Sequence, residues 1–136
     1  MKSSSLFCRL YILSEDALDV VQSRAASIFG VEHDHFEMRS TYLSASIMKN
    51  EDFSEDKLAE HGGFVFYPYT AEVDPVDQIV PDTQKVDAHE FLDDLSRLIV
   101  ELRSAGYSVV ASCSYEEEIA EKTGWNWSVS TPNHPK

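Results

Sequence analysis

Apolar residues crowd the first stretch of the chain, residues 6–13 (LFCRLYIL), and predict a strand buried on at least one face. Ser14 follows as a helix N-cap with Glu15 and Asp16 in the first turn, where carboxylates suit the helix dipole. Leu18, Val21, Ala25 and Ile28 then recur at three- and four-residue spacings and Gly30 closes the pattern, which predicts a helix over 15–29. Between 35 and 48 the alternation runs in two phases. Phe36, Met38 and Tyr42 share one, Leu43, Ala45 and Ile47 the other, which predicts one long strand with a bulge near Tyr42. Residues 49–63 are polar and read as a turn region with a short helical turn near 54–60. Residues 63–73 (GFVFYPYTAEV) give the strongest strand signal, with Pro68 demoting one point to an edge or a bulge.

Pro75 and Pro81 mark 74–86 as a loop. Asp87 and Glu90 then form a capping-box pattern, and Phe91, Leu92, Leu95, Leu98, Ile99 and Leu102 trace an apolar stripe up to Gly106, predicting a helix over 87–105. Residues 107–112 read as a short buried strand, and Ser114 with Glu117 opens a last helix over 115–122. Trp125 and Trp127 flank Asn126 ahead of a polar tail from about 128, and their alternation suits either anchoring on the core or contact with a partner. The order β-α-β-β-α-β predicts a single α+β domain over 1–136. Its expected form is a ferredoxin-like sandwich, a four-stranded antiparallel sheet with two helices on one face. The other face would then stay open, lined by Tyr42, Tyr67 and Tyr69 or their alternate neighbours, as an aromatic recognition surface.

Charge sharpens this picture. The 136 residues carry a net charge of −13, and residues 51–101 hold 14 acids against 3 bases, so nearly the whole excess sits in the middle of the chain. Such a field repels phosphate backbones and attracts a basic partner, although it also serves plain solubility. Nucleic acid is therefore disfavoured as a partner, and no apolar run is long enough for a membrane span. With no signal-peptide pattern and only Cys8 and Cys113 as thiols, the expected setting is a reducing cytoplasm.

Candidate catalytic chemistry is thin. Glu32-His33-Asp34-His35 could offer two imidazoles and a carboxylate to zinc or nickel, with His61 or His89 as a further ligand, but the simpler reading is a solvated loop between helix and strand. Cys113 stands just before a predicted helix N-terminus, which favours a thiolate, yet Glu116, Glu117 and Glu118 oppose one, and the simpler role is a half-buried core residue. Asp93-Asp94 and the glutamate run read as solvated helix faces. Phosphate-binding glycine patterns, a hydrolase elbow and zinc-enzyme signatures are missing from the sequence. No catalytic residue, metal or cofactor is expected.

The stretch 91–125, ending GYSVVASCSYEEEIAEKTGW, together with the small acidic make-up, resembles immunity proteins of bacterial polymorphic toxin and contact-dependent inhibition systems. That resemblance implies a stoichiometric inhibitor covering the active site of a basic toxin domain, often a nuclease, and transfers no functional residue. On the charge argument, the partner-binding residues are expected to be Tyr67, Tyr69, Glu72, Asp74, Asp77 and Asp82, with the tyrosines carrying affinity and the acids the association rate. The competing readings are a non-catalytic structural or oligomerising domain of the same fold, and a small-ligand-binding enzyme.

Overall fold

The computed structural model describes residues 6–34, 37–58, 63–76, 88–124 and 126. It is a mixed α+β arrangement of five strands and three helices. The elements run β1 (Cys8–Leu13), α1 (Leu18–Ile28), β2 (Met38–Arg39), β3 (Leu43–Lys49), β4 (Tyr69–Pro75), α2 (Ala88–Ser104), β5 (Ser108–Cys113) and α3 (Glu116–Thr123). All pairings are antiparallel, in the order β2-β3-β4-β1-β5.

One face of the sheet carries the core. Cys8, Leu10 and Ile12 of β1 alternate with outward neighbours and join Leu43, Ala45, Ile47, Ala71, Val73, Val109 and Ala111. Val21 and Ala25 of α1 and the stripe Phe91, Leu95, Leu98 and Leu102 of α2 close over them, so both long helices share that side. Ile119 brings α3 into the same core. Gly30, with φ 70°, ends α1 in the left-handed conformation its sequence position predicts, and Val31 N–H donates back to Ala26 O.

Four expectations are corrected. The sheet has five strands rather than four, because residues 35–48 do not make one bulged strand. Ser40 N–H donates to Leu43 O at 2.8 Å and its hydroxyl sits on the same residue, so the chain reverses there and β2 pairs back on β3, Met38 opposite Ala45. The change of phase was a turn. Second, 63–73 is not a continuous strand, since Gly63–Phe66 is a 3-10 turn and β4 begins only at Tyr69. The distant Asn50 side chain holds the turn, donating to Val65 O at 2.9 Å and Tyr67 O at 2.7 Å, while its N–H takes Pro68 O. Third, α1 starts at Leu18 behind Ala17, and Ser14 instead accepts the Asp16 N–H at 2.9 Å. Fourth, no side chain caps α3 at Tyr115; Glu116 reaches back to the Cys113 N–H at 2.9 Å.

The reverse face is not an open aromatic surface. Phe64 stands edge-on against Tyr11, with centroids 5.3 Å apart, and Val110 on the same side is fully buried. The turn that Asn50 organises therefore covers part of the face that sequence alone leaves bare.

Side chains take up backbone groups along β5 and along the part of β3 that the short β2 leaves uncovered. On β5, Arg103 donates to Val109 O, Asn126 bonds both Ala111 N–H and Ala111 O, and Glu116 takes Cys113 N–H. Beyond the end of β2, Gln22 donates to Ile47 O at 2.8 Å and His33 Nε2 accepts from Ile47 N–H at 3.4 Å. Unpaired edge groups invite strand addition, and these contacts remove them from that role.

Candidate functional site

The turn 14–17 that replaces the expected start of α1 aims Glu15 and Asp16 into a cleft of about 950 Å³. The cleft lies at the end of the sheet where β1 finishes and β4 and β5 begin. Its walls come from Leu13–Asp16, from Phe53, Glu55 and Leu58, from Pro68 and Tyr69, and from Ala105–Ser108. Three of these lining residues are carboxylates and none is a lysine or arginine. Phe53 is 47% exposed, more than the other large hydrophobic side chains among the described residues, and stands in the polar run KNEDFSEDK.

A polar network holds the inner wall. Tyr107 donates its hydroxyl proton to Asp16 Oδ2 at 2.7 Å, and Arg24 Nε donates to the Tyr107 oxygen at 3.0 Å while its guanidinium lies over the ring. Tyr69 donates to Asp16 O at 2.7 Å. Arg24 is otherwise 3.8 Å from Asp16 Oδ2, a partly exposed pair. Burial, and next the bond to Asp16, push the Tyr107 hydroxyl above its ordinary range, so it remains a donor at neutral pH. The 14–17 turn is thus held by Tyr69 of β4 at the Asp16 carbonyl and by Tyr107 and Arg24 at the Asp16 carboxylate.

Of the expected binding residues that are described, Tyr69 alone lines this cleft, where its hydroxyl donates to Asp16 O and its ring is buried. Tyr67 is 4% exposed and lies by Ser108 and Arg103, with burial raising its hydroxyl. A tyrosine so enclosed cannot serve as the exposed affinity anchor expected of it. Glu72 and Asp74 share the reverse face of β4. Glu72 is paired with Arg9 at 3.0 Å, and burial, with Glu72 close by, raises the Asp74 carboxyl. Asp77 and Asp82 fall outside the described residues, as do His35, His61, Asp87, Trp125 and Trp127. His33 is engaged by Ile47 N–H and by Asp34 O, and His89 sits 3.4 Å from Asp93. Among the described residues no group of three histidine, cysteine, aspartate or glutamate side chains could hold a metal. Nor is any described helix long and apolar enough to cross a membrane.

Sequence reasoning missed Phe53, Glu55 and Tyr107 as site residues. A lone aromatic inside an acidic turn was the signal for Phe53; nothing local marks Tyr107, whose partners lie 83 and 91 positions away. Comparisons with protein-family models, curated proteins and solved structures match nothing to this chain.

Proposed function

We propose that this chain is a protein-binding module of the immunity type, which neutralises a basic toxin domain by seating part of it in the acidic cleft. One observation carries the reading: an exposed aromatic ring, Phe53, in a cleft whose described lining holds Glu15, Asp16 and Glu55 and no lysine or arginine, with Arg24 behind that lining paired to Asp16. An apolar anchor that shares its cleft with the carboxylates of Glu15 and Glu55 suits a protein partner of the opposite sign. Carboxylates on the rim would speed encounter, and the ring would supply residence time. The chain's net charge of −13 extends the same field beyond the cleft. Partner binding is therefore assigned to the cleft and no longer to Tyr67, with Glu72 and Asp74 left as peripheral charge.

The fold suits this role. Leaving out β2, the order β3-β4-β1-β5 with crossover helices on one face supports the reading of a ferredoxin-like sandwich with β2 as an added edge. Oligomerisation by strand addition, the structural alternative, is disfavoured along β5 and along β3 beyond β2, where side chains occupy the edge. A reducing cytoplasm, where a toxin would act, would also keep both cysteines in the free state described here.

The test is co-expression with the product of the adjacent reading frame, scored as growth. Rescue by the native chain, weakened by Phe53→Ala and by joint Glu15→Gln and Glu55→Gln substitution, is the expected result. A harmless neighbour, with no basic protein copurifying, would remove the inhibitor reading. Rescue unaffected by all three substitutions would remove the cleft from it.

A further inference from the structure

The two cysteines, far apart in sequence, are brought together by the sheet. Cys8 of β1 stands directly opposite Cys113 of β5, so both side chains leave the same face. The hydrogen bonds of β5 fix the type of pair. Cys113 N–H is taken by Glu116, and Ala111 N–H and C=O by Asn126, so these residues turn their backbone polar groups away from β1. Cys8 and Cys113 therefore occupy a non-hydrogen-bonded position, where facing Cα atoms stand about 4.5 Å apart, inside the roughly 4.4–6.8 Å that a disulfide spans. Both are free thiols here.

We propose that Cys8 and Cys113 form a thiol–disulfide redox site, in which Cys113 reacts with a small-molecule disulfide and Cys8 resolves the adduct. The two positions differ in the way this division requires: Cys8 is fully buried, whereas Cys113 is partly exposed. The local chemistry agrees. Hydrogen bonding from Cys8 lowers the Cys113 thiol below its ordinary range against the opposing effects of burial and Glu116, and the Tyr115 N–H adds to it, while the Tyr115 hydroxyl donates to Leu6 O. The same pairing, with burial, drives Cys8 strongly upward, so the proton rests on Cys8. Burial raises Tyr115 well above the usual tyrosine range and keeps it a donor.

The Cys113 thiolate attacks one sulfur of R–S–S–R, the S–S bond breaks, and RS⁻ leaves and takes up a proton. The mixed disulfide so formed is attacked at Cys113 Sγ by Cys8, whose proton passes to the second departing RS⁻. Two protein thiols and one R–S–S–R become one cross-strand disulfide and two RSH, the small disulfide accepting both electrons.

The experiment uses the full chain, folded, equilibrated with graded ratios of oxidised to reduced glutathione, quenched in acid, labelled with a maleimide and weighed intact. Both labels should disappear together, giving a monomer two hydrogens lighter and carrying no glutathione. Cys8→Ala should instead stop at one glutathione adduct on Cys113, and Cys113→Ala should take up none while folded. On the reduced native protein, alkylation should reach Cys113 roughly tenfold or more faster than Cys8, a comparison that needs no variant. A stable glutathione adduct on the native chain, a disulfide between two chains, or full maleimide uptake at every ratio would each overturn the proposal.

Discussion

Removing the side chain of Asn126 puts the closure of the β5 edge to the test. Its amide is 3% exposed and makes two bonds to one residue, accepting Ala111 N–H at 2.7 Å and donating to Ala111 O at 2.9 Å. Asn126→Ala deletes both and leaves a donor and an acceptor on a shielded strand edge. Two net hydrogen bonds at about 1 kcal/mol each, plus part of the cost of an unsatisfied buried amide, give a loss of about 3 kcal/mol. Domains of this size are stable by only about 5–15 kcal/mol, so the fraction lost is large. With an m-value near 2 kcal/mol per molar urea, the midpoint should fall by about 1.5 M with m unchanged. Amide exchange at Ala111 should quicken together with the midpoint shift. Asn126→Asp separates the two bonds. The introduced carboxylate still accepts from Ala111 N–H but faces Ala111 O without a proton, so the variant should be weak at neutral pH and recover as acid protonates it. A midpoint within about 0.3 M of the native value for Asn126→Ala, with Ala111 exchange unaltered, would refute the claim that this side chain closes the edge.

Gly63→Ala should destabilise by more than about 1 kcal/mol, read as a lower thermal midpoint, because a Cβ there would lie 2.5 Å from Leu58 O and the backbone would have to move. Asp74→Asn should raise the urea midpoint at neutral pH, since burial and the neighbouring Glu72 oppose its charge, and the gain should vanish in acid once the native carboxyl is protonated. Tyr67, Tyr107 and Tyr115 all have hydroxyls raised above the ordinary value of 10.0, chiefly by burial. Their contribution is complete below that value and lost above it, so stability should decline from about pH 10 upward in step with tyrosinate absorbance; a flat profile to pH 12 would contradict their burial.

The parts of the fold that could be read from sequence were those set by local periodicity. The stripe from Phe91 to Leu102 forms α2 because its spacing matches the helix and its apolar side has a sheet to cover. Gly30 likewise ends α1 because only a left-handed residue suits that position. The failures occur where a distant group decides. GFVFY has the composition of a strand, yet Asn50 claims two of its carbonyls and bends it into a turn. Phe36, Met38 and Tyr42 suggested a bulge because alternation alone does not separate a bulge from a reversal, which Ser40 imposes. The cleft was illegible because its lining comes from four separate segments of the chain, and acidic density pointed instead to the middle third. Cys8 and Cys113 looked unrelated until strand order placed them in register.

The central claim, that a basic partner docks in the cleft between the 14–17 turn and Phe53, is tested most directly by amide hydrogen exchange of the full chain with and without the product of the adjacent reading frame. Protection should rise over Leu13–Asp16, around Phe53 and Glu55 and across Ala105–Ser108, and should weaken in Phe53→Ala. Protection confined to the outer face of α2 or to the reverse face of β4, with the cleft unchanged, would contradict it.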